Sequence, residues 1–195
     1  MNSEREDHRT RPQIQDLEAL LREAATKTAA PVEAWDPPYC GDIGLSIGAD
    51  GTWFYQGSAI RRVQLSKLFA RVLRRDEDGR YFLVTPAEKV DVKVEDAPFV
   101  AVEMEVRGRD EDQALVFRTN LDDVVICGAD HPLRFALESE SGGVKPYVKV
   151  RGRLEALLSR ALTYDILELA ETDAAGRAGV RSGGEFFLVD PDQAE

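Results

Sequence analysis

The chain has 195 residues, 43% of them apolar and 31% charged, and its 36 acidic and 25 basic side chains give a formal net charge of −11. This length suits one large domain or two small ones, and the apolar fraction is enough for a buried core. The charge excludes a broad cationic surface, so neither a duplex-coating protein nor a binder of anionic membranes is expected. A local basic pocket in a globular protein remains compatible with it.

The compartment follows from the cysteines and the N-terminus. Cys40 and Cys127 lie far apart in the sequence, which is too little for a disulfide framework and favours a reducing environment. The first eleven residues are rich in charged side chains and lack the apolar stretch of a secretory signal. No apolar run approaches the roughly 20 residues that span a bilayer. We therefore expect a cytoplasmic protein that does not bind membranes.

Residues 1–40 are predicted to form a tail, a helix and a proline-rich linker. Apolar residues recur at three- and four-residue steps over 12–27, which indicates one face of a helix. Thr10 with Gln13 has the form of a capping box, and Pro12 suits the first helical turn. The prolines of 31–40 then favour an extended linker. An N-terminal helical arm is thus expected to precede the main fold.

Residues 41–127 are predicted to form a first α+β unit. Alternating apolar residues on both sides of Asp50-Gly51 indicate a β-hairpin over 43–56, because this dipeptide tolerates the positive φ angles of tight turns. Helical spacing follows from Leu65 to Leu73, and this helix is expected to stop before Asp78-Gly79. The alternation then predicts a meander of antiparallel strands at about 80–85, 90–94, 99–106 and 114–119.

Residues 128–195 are predicted to repeat that unit. Strands are expected at 133–137, 144–150, 162–169 and 186–189, with a helix over 154–161. Segments 62–71 and 151–160 keep arginines and apolar residues in register at an offset of 151 − 62 = 89. This match predicts a duplicated unit of antiparallel strands with one helix each. Two such small units would share a core, and the groove between them is the natural place for a ligand.

Motifs for known chemistry are missing from the sequence. It lacks the phosphate-loop, dinucleotide-binding, α/β-hydrolase and zinc-protease patterns. The histidine of the predicted body, His131, is best interpreted as a turn or surface residue. Cys127 and His131 with Cys40 and Asp130 lack the paired spacing of a zinc site. We therefore predict no catalytic residue, no metal ligand and no cofactor.

Three polar clusters at predicted strand ends, over 85–89, 95–99 and 119–123, are candidate parts of a binding site, although each is also typical of a turn. Arg61 and Arg62, and likewise Arg151 and Arg153, open the two predicted helices, where backbone N–H groups favour anions. The run 74–78 is interpreted as a mixed-charge surface segment.

Six residues are selected from this set as the ligand-binding site. Lys89 and Arg151 would supply positive charge, and Tyr147 would stack on the ligand. Three others would form hydrogen bonds, namely Thr85, Asn120 and Asp123. The selection predicts that these side chains converge in the cleft between the two repeats.

The order of several unusual motifs resembles that of the proteobacterial domain-of-unknown-function family 1285. The resemblance runs from about Trp35 to Val189 and is carried by segments 41–44, 53–58, 68–74, 81–89, 95–99 and 117–123. It implies a duplicated α+β core whose C-terminal half looks like a pleckstrin-homology fold. It also implies a nucleotide-type ligand at the interface between the halves and a role in signal transduction.

The leading hypothesis is a ligand-binding or sensor module that holds a small, nucleotide-like anion between the repeats. One alternative is a protein–protein interaction module, in which a sheet surface or the N-terminal helix docks on a partner. The other is a metal-dependent hydrolase using Glu95 and Asp96, which would need an irregular backbone because adjacent strand residues point to opposite faces. The sequence leaves the ligand's identity and the oligomeric state open.

Overall fold

The computed structural model describes residues 30–138 and 142–190. The helix predicted over 12–27 lies outside these residues. The described chain begins with a short 3-10 helix, Val32–Ala34, and contains fifteen β-strands and two α-helices, α1 at Val63–Arg71 and α2 at Arg160–Glu168. The fold class is α+β, as predicted, with strands far outweighing helices. Neither of these described α-helices is long and apolar enough to cross a membrane.

The first sheet contains six strands in the spatial order β3-β2-β1-β6-β5-β4. The central strands β1 and β6 pair in parallel, and the other neighbours are antiparallel. The bounds are β1 Tyr39–Ile47, β2 Trp53–Tyr55, β3 Ser58–Ala59, β4 Leu73–Arg75, β5 Tyr81–Val84 and β6 Lys89–Val94.

The second sheet also contains six strands, in the order β10-β11-β12-β7-β8-β9, with a parallel pair between β7 and β12. Its bounds are β7 Phe99–Arg107, β8 Ala114–Thr119, β9 Val124–Ile126, β10 Leu133–Leu137, β11 Val144–Arg151 and β12 Leu154–Leu158. A second 3-10 helix, Asp110–Asp112, precedes β8. A small third sheet follows α2 and consists of β13 Glu171–Thr172, β14 Ala178–Ser182 and β15 Glu185–Leu188.

The two large sheets have the same topology. Each consists of two three-stranded meanders, and the first strand of the first meander pairs in parallel with the last strand of the second. Strands β1 to β6 therefore correspond in order to β7 to β12. The helices differ, because α1 joins the two meanders of the first sheet whereas α2 follows the last strand of the second. The predicted duplication is thus present in the connectivity of the strands.

The predicted register of the repeat was wrong. An offset of 89 aligns α1 with β12, a helix with a strand. Burial in β12 alternates, with Leu154, Ala156 and Leu158 buried, and the strand lies between β11 and β7. Residues 162–168 of the predicted strand instead belong to α2, which Ser159 caps and which buries Leu162 and Ile166 four residues apart.

The hairpin predicted over 43–56 is confirmed. Strands β1 and β2 pair with Ile47 opposite Trp53. At the turn, the Asp50 carboxylate accepts bonds from the Thr52 amide at 2.9 Å and the Thr52 hydroxyl at 2.8 Å. Gly51 has a φ of +78°, the left-handed conformation for which glycine is suited. Local turn chemistry was sufficient to predict this element.

Helix α1 ends earlier than the sequence predicts. It stops at Arg71, and the next residues form β4, which pairs with β5 so that Leu73 lies opposite Leu83. The strands expected at about 80–85, 90–94, 99–106 and 114–119 are observed as β5 to β8. They do not form one meander, however, because the chain leaves the first sheet after Val94 and enters the second at Phe99.

One hydrophobic core serves both sheets. The buried cluster includes Leu45 and Phe69 from the first sheet and its helix, and Phe99, Phe117 and Leu158 from the second sheet. The first sheet ends at Val94 and the second begins at Phe99. The division of the chain into 41–127 and 128–195 therefore falls between β9 and β10, inside the second sheet.

Candidate functional site

The six selected residues do not converge in one cleft. Thr85 is almost fully buried, and its hydroxyl accepts bonds from the amides of Ala87 at 3.2 Å and Glu88 at 3.1 Å. The hydroxyl in turn donates to the Glu88 carbonyl oxygen at 3.3 Å. Thr85 therefore stabilises the turn between β5 and β6 and has no free group for a ligand.

Lys89 is also occupied by the protein. Its ammonium lies 3.1 Å from the Asp76 carboxylate and 4.4 Å from the centre of the Phe82 ring. Asp76 additionally receives the Arg74 guanidinium at 2.6 Å, and these two cations hold the pKa of its carboxyl below its usual value despite partial burial. The Lys89 ammonium thus belongs to a compact ion cluster on the first sheet.

Asn120 connects the two sheets. Its side-chain oxygen accepts a bond from the Val100 amide at 3.1 Å, and its side-chain nitrogen donates to the Gly51 carbonyl at 3.4 Å. A Cβ atom at position 51 would lie 2.5 Å from that nitrogen, so the glycine also makes room for this contact. Asn120 therefore holds the first hairpin against β7.

Asp123 and Arg151 do come together, as predicted for one site. The Arg151 guanidinium lies 3.0 Å from the Asp123 carboxylate and donates to the Ala70 carbonyl at 2.6 Å. It also lies over the Phe99 ring at 5.0 Å. Because Ala70 belongs to α1 and Asp123 follows β8, Arg151 joins the first unit to the second. The predicted placement at the interface is observed, with protein groups as its partners.

Tyr147 stacks on an arginine. Its ring lies 4.1 Å from the Arg134 guanidinium, and its hydroxyl donates to the Asp96 carboxylate at 2.7 Å. Burial, followed by the bond to Asp96, raises the pKa of Tyr147 to about 12. Asp96 also accepts from the Lys145 ammonium at 3.1 Å. The segment that joins the two sheets is thereby attached to β11.

A cavity of about 250 Å³ lies beside this arginine, at the junction of the two sheets. We call it the cationic cavity, because four of its lining side chains are basic and one is acidic. Its walls are formed by Arg75, Pro132, Arg134, Lys149, Gly152, Arg153 and Glu155. Arg75 comes from the first sheet, and the other residues come from the strands of the second sheet and the segments that connect them. Positive charge from both sheets therefore surrounds one small volume.

Strand pairing explains why these side chains meet. Arg134 on β10 lies opposite Tyr147 on β11, and Lys149 on β11 lies opposite Glu155 on β12. Side chains two apart on a strand share a face, so the four residues form one patch across three strands. The Arg134 guanidinium crosses β11 and reaches the Glu155 carboxylate in a two-pronged ion pair, at 2.6 and 2.7 Å.

The charge of the cavity exceeds what its acid can neutralise. Glu155 pairs with Arg134, and Arg153 pairs at 2.9 Å with Glu77, which lies outside this cavity. Within the described part of the chain, the Lys149 ammonium makes no hydrogen bond or ion pair. In a chain of net charge −11 this is a local concentration of positive charge, as expected of an anion site.

A second cavity of about 450 Å³ adjoins the first at Arg153. Its walls are Glu33, Trp35, Asp36, Arg74, Asp76, Glu77, Asp78 and Arg153. Arg74, expected on the surface, is buried and donates to the carbonyls of Val32 and Trp35 at 2.8 Å each. This arginine holds the proline-rich segment on β4 and so completes the wall.

Arg151 and Arg153 do not open a helix. They flank the turn at Gly152 between β11 and β12, so the predicted helical anion site at these residues was wrong. Arg153 still reaches the cationic cavity. It does so because the turn projects toward the first sheet, where the Glu77 carboxylate holds its guanidinium.

The weaker chemical alternatives receive no support from the geometry. Among the described residues, no three His, Cys, Asp or Glu side chains are placed to hold a metal ion. Cys127 is buried, and burial raises the pKa of its thiol to about 11, whereas Cys40 is exposed. Glu95 accepts from the Ala49 amide at 3.0 Å, while Asp96 serves Tyr147, so the two carboxylates are used separately.

Sequence reasoning missed three of the four cavity cations, Arg75, Arg134 and Lys149. Arg134 and Lys149 occupy outward positions of predicted strands, between the buried Leu133 and Phe135 and between Val148 and Val150. Bases at outward positions of adjacent strands were therefore a usable signal. Arg75 belongs to the mixed-charge run 74–78, and only the packing of the two sheets shows what it faces.

Comparisons with known proteins agree on the family. A family model described as a domain of unknown function (DUF1285), N-terminal domain, matches residues 30–97, and the corresponding C-terminal domain model matches 98–189. The two matches meet where the chain passes from the first sheet to the second. A search of the curated proteins gives no match.

Two solved structures are similar to this chain. A DUF1285 family protein from Silicibacter pomeroyi DSS-3 is 45% identical, with a TM-score of 0.82 over 88% of this chain and 93% of that one. A DUF1285 family protein from Shewanella baltica OS155 is 30% identical, with a TM-score of 0.50 over 64% of this chain and 91% of that one. The pleckstrin-homology likeness of the C-terminal half stays a prediction. By sequence and by structure, the chain belongs to the DUF1285 family.

Proposed function

We propose that the chain is a ligand-binding or sensor module that binds a small anionic, nucleotide-like molecule in the cationic cavity. The observation that carries this proposal is that Arg75, Arg134, Lys149 and Arg153 line one volume of about 250 Å³ together with a single carboxylate, Glu155. Binding of a phosphate-bearing ligand would neutralise this excess. The site differs from the six residues selected by sequence, but it lies between the same two units.

The contacts of Arg134 and Lys149 favour an anion as the ligand. Arg134 is already oriented by its two bonds to Glu155 and by the Tyr147 ring, so little side-chain entropy is lost when it binds. Lys149 is half-buried and makes no ion pair within the described residues. An anion attracts a partly buried ammonium more strongly than an exposed one, because less water screens the two charges.

The nucleotide-like part of the proposal is supported by the second cavity. It adjoins the cationic cavity at Arg153 and presents the half-buried Trp35, on which a planar base would stack. Its volume of about 450 Å³ gives room for a nucleoside that the smaller cavity lacks. In this arrangement the phosphates would occupy the first cavity and the base would occupy the second.

A role in signal transduction is part of the same proposal. The cationic cavity has walls from both sheets, and an occupant would bind Arg75 of the first sheet together with Arg134 of the second. A ligand that contacts both sheets at once stabilises the arrangement of the sheets in which both contacts can be made. Occupancy would thereby alter the surface formed by both sheets.

Thermal denaturation with nucleotides and inorganic phosphate tests the proposal. We expect at least one nucleoside phosphate to raise the melting temperature of the wild type, since a ligand that binds the folded state stabilises it. Lys149→Ala should reduce this rise. The matched control is Lys93→Ala, because Lys93 is 75% exposed and pairs with Asp42 away from the cavity.

The control variant should respond as the wild type does. No rise in melting temperature with any phosphate compound would contradict the proposal. An equal rise in the wild type and in Lys149→Ala would contradict the assignment of the site.

A protein-interaction role is a second candidate, favoured by the edge of the second sheet. Strand β9 is an edge strand, and its residues Val124 and Ile126 are 62% and 55% exposed. Exposed β-branched residues on an unpaired edge are typical of strands that accept a partner strand. This edge lies at the opposite side of the second sheet from β10, which lines the cationic cavity.

A further inference from the structure

Two of the arginines that line the cationic cavity each lie opposite a tyrosine on the neighbouring strand. On β4 and β5, Arg75 lies directly opposite Tyr81, with its guanidinium 5.4 Å from the centre of the ring. On β10 and β11, Arg134 lies directly opposite Tyr147 at 4.1 Å. We call these the two Arg–Tyr pairs. In each, a tyrosine on one strand supports an arginine on its neighbour.

The two pairs occupy equivalent places in the repeated topology. Strands β4 and β5 open the second meander of the first sheet, and β10 and β11 open the second meander of the second sheet. Both arginines line the same cavity, one from each sheet. The duplication thus places two similar Arg–Tyr units, one from each sheet, beside one volume.

Further contacts hold both arginines in place. The Arg75 guanidinium donates to the Gly79 carbonyl at 3.4 Å, and Arg134 is held by Glu155. Both arginines line the same cavity, and both act on Tyr81: burial raises the pKa of its hydroxyl, while Arg75 and Arg134 oppose that rise. The two guanidinium groups are therefore directed toward one region by separate supports.

We propose that the ligand of the cationic cavity carries a diphosphate, with one phosphate bound by Arg75 and the other by Arg134. This inference rests on the proposed function and specifies the chemical class of its ligand. The guanidinium group is a planar fork that matches phosphate oxygens in a two-pronged contact. Arg134 binds Glu155 through Nε and Nη2, so its outer edge, Nη1 with the second Nη2 hydrogen, is the edge left for a phosphate. Two guanidinium groups from different sheets beside one volume suit a ligand with two linked anionic groups better than a single anion.

The charge and the size of the cavity both agree with a diphosphate. Two of the four basic side chains already have a carboxylate partner, Arg134 in Glu155 and Arg153 in Glu77, which leaves an excess of 4 − 2 = 2 positive charges for an anion to neutralise. The volume of about 250 Å³ is below the roughly 300–1,000 Å³ of pockets that enclose drug-sized ligands. Lys149 and Arg153 line the same volume and would contact the phosphate oxygens between the two arginines.

Isothermal titration calorimetry with pyrophosphate, orthophosphate and malonate tests this inference. For the wild type we expect pyrophosphate to bind at least about tenfold more tightly than either of the other two anions. In Arg75→Met and in Arg134→Lys the preference for pyrophosphate over orthophosphate should fall to about two- to threefold. The lysine variant retains a cation beside Glu155, so the carboxylate keeps a partner while the fork is lost.

Arg107→Met is the control for these arginine substitutions, because Arg107 is 57% exposed and pairs only with the exposed Glu105 among the described contacts. Arg107→Met should keep the wild-type preference for pyrophosphate over orthophosphate.

The tyrosine variants test the ring of the second pair. Tyr147→Phe keeps the ring beneath Arg134 and should keep the preference for pyrophosphate, whereas Tyr147→Leu should weaken pyrophosphate binding more than orthophosphate binding. Melting temperatures without ligand show that each variant is folded.

The outcomes separate this inference from the proposed function. If pyrophosphate and orthophosphate bind with equal affinity, or if malonate binds as tightly as pyrophosphate, the diphosphate assignment is overturned while anion binding stands. If Arg75→Met keeps the full preference, the role of the two Arg–Tyr pairs is overturned. If none of the three anions binds the wild type, the anionic-ligand proposal fails together with this inference.

Discussion

At the residue scale, Tyr147 makes two contacts, one through its ring and one through its hydroxyl. Its ring supports Arg134, and its hydroxyl donates to Asp96 in the segment between the sheets. Burial and the neighbouring carboxylate disfavour the phenolate and raise the pKa to about 12 from a usual value of 10.0. The hydroxyl therefore remains a donor at neutral pH.

This pKa predicts a loss of stability at high pH. The folded state prefers the protonated phenol, so its contribution is complete below about pH 10 and is lost as the pH rises toward 12. Two pKa units correspond to at most about 2–3 kcal/mol. Urea unfolding of the wild type and Tyr147→Phe at pH 8 and pH 11.5 should show a smaller stability difference between them at the higher pH. A difference independent of pH would contradict the assigned cause.

At the scale of elements, β14 is attached to the second sheet by one buried hydroxyl. Ser182 is fully buried, accepts a bond from the Leu115 amide at 2.9 Å and donates to the Cys127 carbonyl at 2.7 Å. Gly183 adds a bond from its amide to the Gln113 carbonyl at 2.8 Å. These contacts place the third sheet against the ends of β8 and β9.

Ser182→Ala should therefore destabilise the protein. Both backbone partners would be left buried without their bond to the hydroxyl, which costs about 1–3 kcal/mol. The measurement is the free energy of unfolding in urea. Ser58→Ala is the matched control, because Ser58 lies exposed on the short edge strand β3 and its substitution should change stability by less than about 0.5 kcal/mol. Equal effects of the two substitutions would contradict this role.

At the scale of the whole molecule, the two sheets are expected to unfold together. They share one core, and Arg151 joins Asp123 to the Ala70 carbonyl at the end of α1. The two tryptophans of the chain, Trp35 and Trp53, both lie in the first unit. Tryptophan fluorescence therefore reports on the first unit, while circular dichroism reports on both.

Arg151→Met should lower the unfolding midpoint by the same amount in both signals. The expected loss is about 1–2 kcal/mol, because a carbonyl and a carboxylate lose a hydrogen-bond partner in a partly buried place. The control variant is again Arg107→Met, because Arg107 pairs with Glu105 on the surface and its loss should leave both midpoints nearly unchanged. Separate midpoints for fluorescence and circular dichroism would show that the sheets unfold independently.

Local patterns were predictable where a single signal dominated. Asp50-Gly51 between alternating segments marked the first hairpin, because its turn geometry depends on neighbouring residues alone. Leu154 and Leu158 were ambiguous, since residues four apart share a face of a helix and also of a strand. These residues form a strand because the segment pairs with β11 on one side and β7 on the other. Secondary structure at such places depends on partners that are distant in sequence.

By itself, the sequence determined the α+β class, most strand positions, the family and the presence of a repeated unit. These features depend on composition, alternation and motif order along the chain. The tertiary structure decided the register of the repeat and the location of the candidate site. Arg75 and Arg134 meet at one cavity only because the two sheets pack together there, and no pattern along the chain records a distance between residues of different sheets. The net charge of −11 similarly excluded a cationic surface, while packing concentrated four bases around one small volume.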